Sequence, residues 1–180
     1  MKKEDIEVFG EVTIDIKSKD GSIRQIRKKN LVTSAGKDFF IQRIFKQTPD
    51  RRLTKIAIGT NTATAVVADT FAVLGANTNG KKIVKNINYD VSAVLTDPGT
   101  TNSAIFVTNF LDIAADTLLS NSNVPLALGE IGLIATGDLN SSPVIDTLVC
   151  RTIFDQTSPE TTFTKQTTDV ITVTWKITVN

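Results

Sequence analysis

The chain of 180 residues contains no histidine. That absence removes the usual proton carrier near neutral pH, and with it every Ser-His-Asp and Cys-His arrangement. The single cysteine, Cys150, cannot close an internal disulfide, and without histidine it cannot complete the ligand sets that hold zinc. A disulfide-stapled secreted scaffold is thereby excluded, and assembly in a reducing cytoplasm is expected. There is one Trp and one Tyr, too few to build the exposed aromatic platforms that carbohydrate-binding sites use. No apolar run approaches the ~20 residues that span a bilayer. Met1-Lys2-Lys3-Glu4-Asp5 leads into a charged strand, not a signal-peptide core. The expectation is a protein neither held in a membrane nor exported by the Sec route.

Ligand-binding signatures are also missing. Gly59-Thr60-Asn61-Thr62 follows a strand, but no glycine pattern of the kind that wraps backbone N–H groups round phosphate is present. The acids of Asp112 to Asp116 and around Asp138 lack the spacing of a calcium loop. Asn140-Ser141-Ser142 matches a glycosylation triplet, but without a secretion signal it reads as an ordinary loop. No cofactor and no metal are expected.

What is present is an ordinary globular composition, 41% apolar and 22% charged, enough for one domain over residues 1–180 with its own core. The net charge of +1 conceals a division, because residues 1–55 hold 14 Lys/Arg against 8 Asp/Glu and the remainder holds 6 against 11. Such polarity suits head-to-tail steering of subunits. The same charges also serve simply to solvate strand faces. Arg24, Arg27, Lys28 and Lys29 are the basic candidates for partner contact. They sit near acids with no stacking aromatics between them, so nucleic acid is not an expected partner.

Period-two alternation dominates. Val8, Val12, Ile14 and Ile16 oppose Glu7, Glu11, Thr13 and Asp15, which is a half-buried antiparallel strand. Asp20-Gly21 supplies a tight hairpin turn, and Ile23 to Lys29 returns as a charged edge strand. The period then changes: Phe39, Phe40, Ile41, Ile44 and Phe45 predict a helix over 35–47, capped by Thr33 or Ser34, with its apolar stripe against a sheet. Further strands are expected at Leu53 to Ile58, closed by Gly59, at Lys81 to Val91, Ala104 to Phe110, Leu128 to Ala135, Val144 to Phe154 and Asp169 to Val179. A helical turn is expected over Asp112 to Ser120. In the last strand Ile171, Val173, Trp175, Ile177 and Val179 share one face, so its register should be firmly set. Thr60 to Gly80, small and polar, reads as a surface loop with a helical turn near Val66 to Phe71, and its Asn61, Thr62, Asn77 and Asn79 are candidate contacts. These elements predict a mainly β protein: an antiparallel sandwich or jelly-roll-like barrel of about eight strands with one short helix.

One carboxylate stands out. Glu130 lies among Leu128, Gly129, Ile131 and Gly132, where burial would raise its pKa and suit a general acid. A single such residue in a strand is more simply satisfied by backbone N–H groups or a subunit contact.

A series of short signatures has a direction of its own. Asn30-Leu31-Val32-Thr33-Ser34-Ala35-Gly36-Lys37, then Ile56-Ala57-Ile58-Gly59-Thr60, then Leu128-Gly129-Glu130-Ile131-Gly132-Leu133, then Arg151-Thr152-Ile153-Phe154 and Val173-Thr174-Trp175-Lys176-Ile177 resembles small structural proteins of tailed phages, in order and over most of the chain. The resemblance implies a virion component without catalytic residues, assembled in the bacterial host cytoplasm. It would sit at the tail, baseplate or fibre attachment, or alternatively decorate the head. It also implies homo-oligomeric contact with other virion proteins, with Gly36, Phe40, Phe45, Gly59, Glu130, Gly132 and Trp175 in architectural roles. Two readings from other classes remain as alternatives: a carbohydrate-binding module for a host glycan, and a two-carboxylate glycosidase built on Glu130.

Overall fold

In a computed structural model, the structure describes residues 8–45, 52–76, 82–87, 103–110, 126–137, 146–154, 163–165 and 168–179. The first long strand, β1 (Val8–Lys17), buries Val12, Ile14 and Ile16, as its alternation requires. It pairs with β2 (Ile23–Lys29), Lys17 opposite Ile23, so the connection runs through five residues, 18–22. The turn is therefore longer than the tight hairpin expected. Gly21 takes φ +86° within it, and the Asp20 carboxylate accepts the Ser22 N–H at 2.9 Å.

After β2 the chain turns a corner at Asn30 into β3 (Leu31–Val32) and then the helix α1 (Ser34–Phe45). Thr33 caps the helix, its hydroxyl oxygen accepting the Gly36 N–H at 3.0 Å while its hydroxyl reaches the Leu148 carbonyl at 2.6 Å. Strands β4 (Arg52–Gly59), β5 (Lys82–Asn86), β6 (Ser103–Phe110), β7 (Leu126–Leu128), β8 (Glu130–Thr136), β9 (Asp146–Ile153), β10 (Phe163–Lys165) and β11 (Val170–Val179) complete the described elements, with a 3-10 turn at Phe71–Val73.

The strands form a four-stranded antiparallel sheet, β2-β1-β11-β6, a five-stranded antiparallel sheet, β3-β9-β8-β4-β5, and a separate ribbon, β10-β7. One contiguous apolar core draws Val12, Ile14, Val173 and Trp175 from the first sheet and Ile56, Ile58, Ile131 and Leu133 from the second. The two sheets therefore pack as a β-sandwich. Trp175 is fully buried among them, and Phe39 and the half-buried Phe40 add an edge-to-face aromatic pair from α1.

The helix starts one residue earlier than expected, and residues 46–47 of the expected span lie outside the described residues. Its stripe is also narrower, because Ile41 is 55% exposed: one residue beyond Phe40 is a further 100° round the axis. The expected strand at Leu128 to Ala135 is divided at Gly129, whose N–H bonds to the Gly59 carbonyl at 2.8 Å and whose carbonyl accepts from Phe154 N–H. Strands β3 and β10 were not foreseen, since two or three residues carry no readable period. The second half of the strand expected at Lys81 to Val91 and the helical turn expected at Asp112 to Ser120 lie outside the described residues.

The five-stranded sheet is apolar on both faces. Ile131, Leu133 and Ala135 point to the inter-sheet core, while Ala57, Ile134 and Leu148 on the opposite face form a second small cluster with Leu74 and Phe71. Residues 60–76 thus cover the outside of this sheet.

Candidate functional site

At one end of that covered face lies a buried ionic cluster. Glu130 opens β8 and Arg151 lies near the end of β9; the register opposes Gly132 to Arg151, which puts Glu130 diagonally beside it on the same face. Arg151 is fully buried, and its Nε donates to Glu130 Oε2 at 2.8 Å. One terminal nitrogen donates to Asp69 Oδ2 at 2.7 Å, and the other donates to the Ala63 carbonyl at 3.1 Å. The planar guanidinium thus engages one strand carboxylate, one loop carboxylate and one loop carbonyl.

The loop closes the cluster from above. Gly75 N–H donates to Glu130 Oε1 at 2.5 Å, and a backbone N–H at Asn61 also bonds to this carboxylate. Asp69 accepts the Val66 N–H at 2.9 Å through the same oxygen that meets Arg151. Asn61 braces the loop internally, donating to the Val73 carbonyl and accepting from Ala63 N–H, each at 2.9 Å. Val67 ties the loop to the helix start by accepting the Ser34 N–H at 2.7 Å. Residues 60–76 of the expected surface loop are a clamped lid on the sheet, and residues 77–80 lie outside the described residues. The lid has also a 3-10 turn at Phe71–Val73, slightly after the expected position.

Burial is the largest influence on Glu130 and pushes its pKa above the ordinary carboxylate value. The N–H groups of Gly75 and Asn61 and the charge on Arg151 oppose that shift without cancelling it. The arrangement leaves Glu130 satisfied by backbone N–H groups and an internal cation, as the simpler reading of its sequence setting has it. Among the described residues no group of three or more His, Cys, Asp and Glu gathers in a metal-binding arrangement. No described helix is long and apolar enough to cross a membrane.

Of the predicted architectural residues, Gly59 and Gly132 fall beside this cluster. Gly59 lies against the Glu130 side chain and Gly132 beneath Leu74 and Leu148, so both leave room for the lid and its carboxylate. Gly36 lets α1 approach β9 until a Cβ there would sit 2.1 Å from the Val149 carbonyl oxygen. Trp175 is core, and Phe45 is the last described residue of α1. Of the candidate contacts, Asn61 is buried as a brace and Thr62 is exposed, while Asn77 and Asn79 lie outside the described residues.

The four basic candidates do not form one patch. Arg24 and Lys28 stand opposite Ile16 and Val12, on the core side of β2 flanking buried Ile26, whereas Arg27 and Lys29 lie on the outer face opposite Thr13 and Glu11. Strand alternation divides them, and inward-set charges of this kind protect a sheet edge from unwanted pairing. The outer-face row continues across the sheet, Lys29 beside Glu11 beside Lys176.

Arg151 and Asp69 were missed as site residues. Arg151 had a signal: a cation inside Val149-Cys150-Arg151-Thr152-Ile153 needs a buried counter-charge, and Glu130 in its own apolar strand is the natural partner. Asp69 had none, since nothing in a polar loop marks which acid turns inward. No family model, curated protein or solved structure matches the chain.

Proposed function

We propose that the protein is a non-enzymatic structural subunit of a tailed phage or phage-like particle, joined to its neighbours at the tail, baseplate or fibre attachment and present there as a homo-oligomer. The observation that carries this reading is the buried Glu130–Arg151–Asp69 cluster. The signatures that resemble phage structural proteins converge on it: Gly59, Glu130, Gly132 and Arg151 come from three separate stretches of chain and meet at one lid contact. The three buried charges thus tie the lid to the five-stranded sheet and do not line an open cleft. Glycosidase chemistry needs two carboxylates free to reach a sugar, and here both are engaged with Arg151 and backbone N–H groups. Of the single Trp and single Tyr that could stack on a host glycan, Trp175 is fully buried and Tyr89 lies outside the described residues. A rigid block of this kind gains its strength in a closed ring, where a modest interface repeats.

The test is immunogold labelling of intact particles, and of separated heads and tails, from the strain that encodes the chain. Label at the tail end is the expected result. Label on heads moves the protein to shell decoration, and particles without label remove the virion reading.

A further inference from the structure

An open cleft of 490 Å³ lies where the start of β1, the Asn30 corner and the first turn of α1 come together. Lys29, Lys37 and Lys176 line it, with Glu11 the only carboxylate in the lining, so the cleft carries a positive excess. None of these lysines has an ion-pair partner among the described residues. Pairing register explains the excess, because Lys29 and Lys176 flank Glu11 from the two neighbouring strands and one carboxylate cannot neutralise both. Phe9 and Val67, each 48% exposed, line the same cleft. These two side chains give the charged depression an apolar portion. At the corner Asn30 packs against Gly10 so closely that a Cβ on Gly10 would meet its Oδ1 at 1.7 Å. Both buried amide atoms of Asn30 lack a hydrogen-bond partner among the described residues.

From this combination we propose that the cleft docks an acidic, extended segment of a partner protein, its carboxylates meeting the three lysines and its apolar side chains covering Phe9 and Val67. Charge complementarity selects an anion, and the apolar pair selects one with hydrophobic side chains. A nucleic acid fits less well, since Phe9 is the only aromatic ring in the lining and successive bases would find no further ring to stack on. The site goes beyond the structural-subunit reading and is tested separately from it. A chain found in particles with an inert cleft fails only here, and a chain absent from particles with a working cleft fails only there.

The probe is a fluorescein-labelled peptide alternating Asp with Leu and Phe, so that an extended strand shows one acidic and one apolar edge. It is titrated with the full chain by fluorescence anisotropy beside an Asn-for-Asp peptide and a single-stranded DNA of equal charge. The acidic peptide is expected to bind about 10-fold tighter than the neutral one and to weaken as salt rises. Lys29→Gln with Lys176→Gln should weaken it about 5-fold with an unchanged thermal melt, since both side chains are exposed. In the wild-type chain the peptide should shift the amide resonances of Gly10 and the Asn30 side chain, a readout that needs no variant. Equal binding of the neutral peptide, equal or tighter binding of DNA, indifference to the lysine changes in a folded variant, or resonance shifts confined to other surfaces would each overturn the proposal.

Discussion

Replacing Arg151 by Met keeps most of the side-chain volume and deletes the charge. In the native fold Arg151 is the cation facing both Glu130 and Asp69, and all three side chains are buried. Removing one member of a buried ion pair and stranding the other typically costs about 3–5 kcal/mol, a large part of a total stability of roughly 5–15. For a domain of this size each kcal/mol moves Tm by about 2–4 °C, so Arg151→Met should lower Tm by roughly 6–20 °C. The loss should appear first in the lid, because three of the loop's attachments end on this cluster: Gly75 N–H on Glu130, and Asp69 and the Ala63 carbonyl on Arg151. Limited chymotrypsin digestion reads this directly, with cleavage after Phe71 or Leu74 expected in Arg151→Met under conditions that spare the wild type. The defect should shrink at low pH, where Glu130, whose pKa burial already raises, can protonate instead of remaining a buried unpaired anion. A double-mutant cycle with Glu130→Gln should return a coupling of at least about 1 kcal/mol. An unaltered melt together with unchanged protease resistance in Arg151→Met would refute the clamp.

Other substitutions probe the remaining contacts. Glu130 has its pKa raised by burial, so its stabilising contribution is complete below the ordinary value of 4.5 and is lost as pH climbs through the raised folded value. Glu130→Gln should therefore gain in Tm relative to wild type as pH rises through that window, measured by melts at a series of pH values. Gly36→Ala should destabilise by about 1–3 kcal/mol in urea unfolding despite the better helix propensity of Ala, because the added Cβ meets the Val149 carbonyl and pushes α1 off β9. Trp175→Ala should cost about 3–5 kcal/mol by the same assay. Trp175→Phe should cost less than its lost volume suggests, since it also removes an indole N–H that is buried without a partner. As the single Trp of the chain, Trp175 should fluoresce at the short wavelengths of an apolar site and shift red on unfolding.

The period-two stretches of the chain were legible without any structure. Alternation in Val8 to Ile16 and in Ile171 to Val179 dictates which side chains enter the core, and the register that pairs them, Val12 with Trp175 and Ile14 with Val173, follows that pattern. The helix start was equally legible, because Thr33 is a local cap acting three residues ahead. Local rules suffice where the deciding interaction is local, or where any partner sheet would serve.

Tertiary structure alone decided the rest. Loop 60–76 has the composition of an exposed arm, and it is a lid because Asp69, Asn61 and Gly75 find partners on strands more than 50 residues away in sequence for the Glu130 contact and 82 for Arg151. The basic run at Arg24 to Lys29 looks contiguous in sequence but is split between two faces, and Lys29 meets Lys37 and Lys176 only after the strands pair and the chain turns at Asn30. Charge and polarity say that a group needs a partner. Which partner it finds depends on strand order and on the corner between two sheets, and no window of sequence contains either.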